Sequence, residues 1–235
     1  LEVNDQTLTK SLQRLSKAGR IQQIRRGFYT IIPMEYRRGN GLPATWYIDD
    51  LMSYMEIDYY VGVLSAAALH GAAHQQPQEF QVVIPRFLKP IDAGRVRISF
   101  FQKTQLQQVI VQKKKTYTGY IPVSEPVSTA LDLLRFNRRI GGLDAVMTVL
   151  SELAEEMTPV SLVEECRTES DRSLVQRLGW MLDNLNTGDL TEPLSRWINH
   201  LQPSKVKLDP SEPYLSGKLD HKWKLVVNSH PESDI

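Results

Sequence analysis

The chain has 235 residues, of which 28 are lysine or arginine, 27 are aspartate or glutamate and one is cysteine. This composition is typical of a globular chain with room for one large or two smaller cores, and the single cysteine excludes an internal disulfide or a thiolate zinc cluster. No run approaches the ~20 consecutive apolar residues of a membrane span, and no signal peptide opens the chain, so we expect a cytoplasmic protein without membrane contacts.

The near-neutral total hides an uneven distribution of charge. Residues 1–38 hold eight basic and three acidic residues, a net charge of +5, whereas the rest of the chain holds twenty basic and twenty-four acidic residues, a net charge of −4. A small basic segment attached to a mildly acidic body is typical of a protein that docks one end on a polyanion.

The first predicted element is an amphipathic helix that begins near Asp5. Leu8, Leu12 and Leu15 recur at i, i+4 and i+7, so one face is apolar, and Gly19 can supply the left-handed residue that ends the helix. The opposite face carries amides, hydroxyls and cations, which in a DNA major groove can read base edges and hold phosphates. The residues that we expect to contact DNA from this face are Gln6, Thr9, Lys10, Gln13, Arg14 and Lys17.

A tight β-hairpin is predicted directly after the helix. Two β-rich runs, residues 21–24 and 28–32, flank Arg25, Arg26 and Gly27, and the glycine can adopt the positive φ that a short hairpin needs. A helix followed by a hairpin with a cationic tip predicts the wing of a winged helix-turn-helix, with both arginines on phosphates. The alternative is an ordinary solvated helix and hairpin. A complete module would include an earlier helix, so we expect upstream residues to belong to it.

The rest of the chain predicts a mixed α/β body. A glycine- and proline-containing segment, RRGNGLPAT, predicts a linker, and residues 48–71 predict mostly helix. Short β-branched runs predict strands at 80–85, 95–101 and 109–112. Helical periodicity then predicts helices from Pro126 to a Gly-Gly break at 141–142, and at 143–157, 161–167, 171–185 and 192–201. Two further strands are predicted at 205–208 and 223–227.

We therefore expect an α+β fold. It consists of a partial N-terminal winged helix-turn-helix (1–37), a linker (38–48) and a mixed α/β domain with a helical C-terminal half (49–235). Within the helices, Cys166 is expected to be a small buried residue, and Trp180 to lie on a core-facing stripe.

A second basic segment covers residues 81–121, which hold eight basic residues and only Asp92 as an acid. One interpretation is a surface for an acidic partner, and the other is a solvated sheet whose edge lysines prevent strand pairing between molecules. The candidate partner-binding residues are Arg86, Lys89, Arg95, Arg97, Lys113, Lys114 and Lys115.

No arrangement of residues predicts catalysis. Asp49, Asp50, Glu56 and Asp58 form an acidic cluster. The first three could hold Mg²⁺ in a nuclease, but no phosphate-binding loop accompanies them. His70 and His74 have the i, i+4 spacing of a helical metal site, but a glycine lies between them and the glutamate of a zinc protease motif is missing. We therefore expect no enzyme activity, no metal site and no cofactor.

Three motifs, in their order along the chain, resemble a known family. They are Ser65-Ala-Ala-Ala-Leu-His-Gly71, Glu125-Pro126 followed by Ala130-Leu131-Asp132, and Arg177-Leu-Gly-Trp180. Together with the basic N-terminal segment and a closing WKLVVN, they resemble the AbiEi family of bacterial antitoxins and transcriptional regulators. The similarity covers nearly all of the chain.

The resemblance implies a DNA-binding autorepressor from a type IV toxin–antitoxin operon. Its N-terminal module would bind inverted repeats in the operator, and such repeats usually mirror a two-fold symmetric protein. The α/β body would be an antitoxin domain that counters a nucleotidyltransferase-like toxin, with or without a stable complex. The residues themselves leave a second hypothesis open, in which the basic 86–115 face binds protein or RNA without specific DNA binding.

Overall fold

The computed structural model describes residues 4–37, 41–72, 77–185, 187–213 and 217–233. The helices in these ranges are α1 (Asp5–Lys17), α2 (Ile48–Tyr54), α3 (Val63–Leu69), α4 (Pro126–Arg135), α5 (Gly142–Leu153), α6 (Pro159–Thr168), α7 (Arg172–Asn184) and α8 (Glu192–His200). The strands are β1 (Ile21–Arg25), β2 (Phe28–Ile31), β3 (Tyr60–Val61), β4 (Glu79–Ile84), β5 (Ile91–Ala93), β6 (Val96–Gln102), β7 (Val111–Lys115), β8 (Tyr120–Ser124), β9 (Val206–Lys207), β10 (Lys218–Asp220) and β11 (Leu225–Val227). The expected mixture of helices and sheets is confirmed.

A six-stranded mixed sheet organises the body. Its strand order is β5-β6-β4-β3-β8-β7. The pairs β4–β6 and β3–β8 are parallel, and the other three pairs are antiparallel. Strands β5 and β7 therefore form opposite edges, which five strand spacings of ~4.8 Å place about 24 Å apart.

Each face of this sheet covers a separate hydrophobic core. Along β4, Val83 points into one core and Val82 and Ile84 into the other, as the alternation of side chains on a strand requires. Helices α4 to α8 cover the first core, and α2 and the β1–β2 hairpin cover the second. Because both faces are covered, consecutive residues of a central strand are apolar and buried, as Val82, Val83 and Ile84 are on β4.

The first predicted elements lie where the sequence indicates. Helix α1 begins after Asn4, whose side chain accepts a hydrogen bond from the backbone N–H of Gln6 at 3.1 Å, and Gly19 follows its end with φ +62°. Strands β1 and β2 pair antiparallel, and Gly27 has φ +83° at the turn. The helix and the hairpin are confirmed as elements, and their role as a winged helix-turn-helix stays a proposal.

Residues 48–71 differ most from the prediction. Between α2 and α3 the chain forms β3, in which Tyr60 and Val61 are buried at the centre of the sheet. A short, continuously apolar run cannot be assigned to helix or strand by periodicity alone, because a strand buried on both faces shows no alternation. The expectation of a mainly helical segment was therefore wrong at this strand.

Two further corrections concern the sheet and the linker. The strand predicted at 109–112 runs from Val111 to Lys115, so the lysine run lies within β7. Strand β8 was not predicted, and its Pro122 argues against an inner strand because proline cannot donate a ladder hydrogen bond. Proline is tolerated here because β3 is so short that it pairs with β8 only through Val123. In the expected linker, residues 38–40 lie outside the described residues, and the segment that follows is not an exposed connector because its apolar side chains are buried: Leu42, Ala44 and Tyr47.

The helical half matches the sequence prediction closely. In α4 every residue from Val127 to Leu134 is buried, and its polar side chains, Ser128, Thr129 and Asp132, form hydrogen bonds inside the protein. Cys166 is buried, and burial raises the pKa of its thiol above the ordinary range. Trp180 is buried in the first core as its spacing indicates.

A small sheet, in the order β10-β11-β9, attaches the end of the described chain to α7. The indole of Trp223 lies in the first core and is 1% exposed. Its Nε1 donates to Asp183 at 2.7 Å, and the side chain of Gln176 donates to its backbone carbonyl at 2.8 Å. The two predicted C-terminal strands are therefore present as β9 and β11, whereas Trp223 lies just before β11.

Candidate nucleic-acid interface

Helix α1 lies on the surface with none of its residues buried. Its leucine face is only partly covered, and Leu8 is 48% exposed. The polar face is open to solvent, with one internal bond from the hydroxyl of Thr9 to the carbonyl of Asp5 at 2.8 Å. All six side chains on α1 that are predicted to contact DNA are exposed: Gln6, Thr9, Lys10, Gln13, Arg14 and Lys17.

Two shallow grooves follow α1. One, of about 360 Å³, is lined by residues of the helix alone, from Asp5 to Gln13. The other, of about 380 Å³, lies between the helix and the hairpin and is lined by Gln13, Lys17, Gln23 and other polar side chains. Amides and ammonium groups that line open concave surfaces can bond to the edges and backbone of a nucleic acid.

The hairpin is anchored to the body by its apolar side chains. Ile24 is buried in the second core, and the ring of Phe28 lies 5.5 Å from the ring of Tyr54 at the end of α2. The hydroxyl of Tyr54 donates to the backbone carbonyl of Arg26 at 3.5 Å. The tip is thus held from behind, while the side chains of Arg25 and Arg26 are exposed and form no ion pair with other described residues.

The second group of basic residues does not form one surface. Arg97, on β6 beside the β5 edge, is ion-paired with Glu79 at 3.0 Å and with Asp92 at 3.2 Å. The lysine run lies on β7 at the opposite edge, where the side chain of Lys114 donates to the carbonyl of Leu69 at the end of α3. The remaining members are exposed: Arg86, Lys89, Arg95, Lys113 and Lys115. The expected continuous 86–115 face is therefore divided by the width of the sheet.

A buried network of charged groups lies between the sheet and α4, and sequence reasoning did not identify it. Asp132 on α4 is fully buried; it accepts hydrogen bonds from the hydroxyl of Tyr60 at 2.6 Å and from the ammonium of Lys103 at 3.1 Å. Glu169 accepts a bond from Arg135 at 2.7 Å and lies 3.9 Å from Lys103. Burial raises the pKa of Asp132, and its two donors oppose that shift.

The network opens into a polar cleft of about 400 Å³. Both cations at the mouth, Lys103 and Arg135, already face carboxylates, so their charge is balanced within the protein. One signal in the sequence could have revealed the site: Asp132 interrupts the apolar run Ala130 to Leu134, and a charge within a buried helix needs a partner. We regard this network as structural.

No metal centre is evident among the described residues, where no group of three His, Cys, Asp or Glu side chains could hold an ion. Asp49 accepts a hydrogen bond from the hydroxyl of Tyr59 at 2.9 Å, and Asp50 and Glu56 are exposed. The Nε2 of His70 is 2.7 Å from the carbonyl of Ser124. His74, the other residue of the i, i+4 pair, lies outside the described residues.

The mixed α/β body has a counterpart among known families. Residues 60–184 match the family model described as the AbiEi antitoxin C-terminal domain. The match spans more than half of the chain, and the protein belongs to this family. The buried network and the third motif, Arg177 to Trp180, both lie within the matched range.

Two solved structures resemble the protein. The first is the RV2827C protein from Mycobacterium tuberculosis, with a TM-score of 0.64 and 13% identity over 93% of this chain and 78% of that chain. At this identity the similarity shows the fold alone. The second is an antigenic nucleotidyltransferase-like protein from Paracoccidioides brasiliensis, with a TM-score of 0.45 and 11% identity over 64% of this chain and 90% of that chain.

A comparison with curated proteins gives no significant match. Of the helices in the described ranges, none combines the length and the apolar character needed to cross a bilayer.

Proposed function

We propose that this protein is the antitoxin and the DNA-binding autorepressor of a bacterial toxin–antitoxin operon. Membership of the AbiEi antitoxin family supports the antitoxin role and implies a toxin partner. We further propose that this partner is a nucleotidyltransferase-like toxin encoded beside it, that operator DNA carries inverted repeats, and that two copies of the protein bind them together.

The observation that carries the DNA-binding part is the exposed helix α1 beside a cationic hairpin tip. Gln6, Lys10 and Gln13 face solvent at spacings that place them on one side of the helix, where amide groups can form paired hydrogen bonds with adenine. Arg25 and Arg26 extend from a hairpin fixed to the body, so they can reach phosphates without first ordering a loop.

A titration of operator DNA tests this proposal. Fluorescence anisotropy with the promoter duplex of the protein's own operon should give binding that weakens steeply with salt. In Arg26→Ala, the logarithmic salt slope should fall by about one unit for every DNA sequence, because one phosphate contact is lost. In Gln13→Ala, operator affinity should fall by ~1–3 kcal/mol, while binding to unrelated DNA stays unchanged.

The matched control is Lys205→Ala, which removes an exposed cation on the side of the body formed by the small sheet. It should leave both the affinity and the salt slope unchanged. If Arg26→Ala behaves like this control, the hairpin does not contact DNA and the winged-helix assignment fails.

The antitoxin role is tested separately by growth rescue. Co-expression with the adjacent toxin should restore growth, and variants of the hairpin arginines should retain rescue while they lose promoter binding. Copurification of the two proteins would favour neutralisation through a stable complex, and rescue without copurification would favour an indirect route. Loss of rescue in the hairpin variants would instead show that one surface carries out both toxin neutralisation and promoter binding.

A further inference from the structure

We infer that the β7–β8 hairpin is a binding site for single-stranded RNA, separate from the proposed DNA-binding helix and wing. We refer to its exposed side chains as the ribbon face: Lys113, Lys115, Tyr117 and Tyr120. This inference does not depend on the proposed function, since it concerns a different surface of the molecule.

The register of the two strands places three members of the ribbon face, Lys113, Lys115 and Tyr120, on one side of the hairpin, whereas Tyr117 lies in the turn at its tip. Lys113 lies opposite Pro122 and Lys115 opposite Tyr120, and these side chains point away from the second core. The alternate residues Ile121 and Val123 are buried in that core. Lysines two residues apart on a strand are ~7 Å apart, which suits neighbouring phosphates of an extended nucleic-acid strand.

The two outward lysines of the hairpin carry charge that no carboxylate of the described residues neutralises. Residues 111–124 contain three lysines and no acidic residue, and the carboxylate of the next residue, Glu125, is bonded to the side chain of Gln112 at 3.2 Å rather than to a lysine. Within the described ranges, Lys113 and Lys115 form no ion pair, whereas Lys114 between them is directed inward to the carbonyl of Leu69. A strand whose inward lysine is bonded and whose outward lysines are unpaired presents its cations to a partner in solution.

Two exposed aromatic rings accompany these lysines. Tyr117 at the hairpin tip is 77% exposed, and Tyr120 is 57% exposed. Edge lysines alone would be explained by protection against strand pairing between molecules. Exposed aromatic rings on an edge strand favour association between molecules, so protection against strand pairing does not explain their presence. Base stacking explains their presence, because every nucleobase has a face that can lie on an aromatic ring.

The ring at the tip is held in place. Tyr117 stacks on Trp46 with ring centroids 4.3 Å apart and an angle of 15°, and Trp46 contacts the ring of Tyr36 at 4.8 Å. The hydroxyl of Thr118 donates to the carbonyl of Trp46 at 2.7 Å. One face of Tyr117 is thus fixed against the body while the other is open, so that a base can stack without an entropic cost for ordering the ring.

The ribbon face and the wing are separated by negative charge. Helix α2 contacts the wing tip through Tyr54 and continues from the segment that contacts the hairpin through Trp46. Its seven residues span ~10 Å, and Asp49 and Asp50 on it are exposed. One duplex lying across both basic surfaces would meet these carboxylates, which favours two separate nucleic-acid ligands.

Stacking also selects between duplex and single strand. The rings can lie on bases only where those bases are not already stacked in a duplex, and RNA presents such bases in its loops, bulges and ends. The lysines then hold the backbone without reading sequence. The ligand class is therefore single-stranded RNA with little sequence preference.

The test is anisotropy with a fluorescein-labelled 12-nucleotide oligouridylate and the whole chain. Wild-type protein should bind with a salt-sensitive affinity, and Lys113→Ala/Lys115→Ala should lower the logarithmic salt slope by ~1.4 units. Tyr120→Ala should weaken binding at least about fivefold, whereas Tyr117→Phe/Tyr120→Phe should bind like wild type because the rings remain. The matched control, Lys205→Ala/Lys218→Ala, should not differ from wild type.

Three results would overturn the inference: no salt-sensitive binding by wild-type protein, ribbon variants that bind like the control, or equal affinity for a 12-base-pair RNA duplex. Equal affinity for the corresponding deoxyoligonucleotide would overturn the assignment to RNA. Arg25→Ala/Arg26→Ala should retain oligouridylate binding; its loss would show that the wing and the ribbon face are one site. Every substituted side chain is exposed, so we expect each variant to fold. Circular dichroism of each variant checks this expectation.

Discussion

The contact between Gly179 and Trp223 allows a stability prediction in which two physical effects oppose each other. Gly179 lies within α7 and is buried. Replacement by alanine should stabilise a helix by ~1 kcal/mol through backbone entropy. Here, however, the added Cβ would lie within 2.6 Å of three carbons of the Trp223 indole. Real Cβ atoms do not approach carbon this closely, so the ring or the helix must move.

The indole has little freedom to move. It is 1% exposed, and its Nε1 is bonded to Asp183, which also accepts from Lys222 at 2.8 Å. Overpacking of this kind costs ~1–3 kcal/mol or more. The steric cost exceeds the gain in helix propensity, so we expect Gly179→Ala to lower the free energy of unfolding by about 2 kcal/mol. For a chain of this length that corresponds to a Tm lower by ~4–8 °C.

Urea unfolding, followed by circular dichroism, measures this change, and a double-mutant cycle identifies its cause. In a Trp223→Leu background the steric conflict is absent, so Gly179→Ala should then be neutral or stabilising by up to ~1 kcal/mol. The coupling energy should therefore be about 2–3 kcal/mol. If Gly179→Ala is at least as stable as wild type, or equally destabilising in both backgrounds, the proposed contact does not determine the choice of glycine.

Three further predictions concern buried or anchoring groups. Burial raises the pKa of Glu165 to about 7 from its ordinary 4.5, so the folded state holds this proton more tightly than the unfolded state does. Between these two pH values the free energy of unfolding should therefore fall by up to about 3 kcal/mol as pH rises. Urea titrations at several pH values measure this fall, and Glu165→Gln should abolish it. Asp132→Ala should cost ~3–5 kcal/mol in urea unfolding because it leaves Lys103 buried without its main partner; a loss below 1 kcal/mol would contradict the network. Tyr54→Ala should increase amide hydrogen exchange in the β1–β2 hairpin with little change in α7, and uniform exchange would show that the ring does not anchor the hairpin.

The sequence by itself determined the elements whose signals are local. The leucine period and Gly19 define α1, and Gly27 defines the hairpin turn, because helix periodicity and turn geometry involve residues only a few positions apart. The order of three motifs identified the family, which the match over residues 60–184 confirmed.

Only the tertiary structure decided which distant residues meet. Tyr60 and Asp132 are separated by 72 positions, as are Trp46 and Thr118, and neither pair leaves a periodic signal. The strand order placed Arg97 near one edge of the sheet and the lysine run at the opposite edge. A count of charges along the chain had grouped them in one basic segment. Periodicity reports the environment of one segment, whereas strand pairing and burial depend on contacts between segments. In this protein those contacts divide the basic residues between the ion-paired Arg97 and the exposed ribbon face.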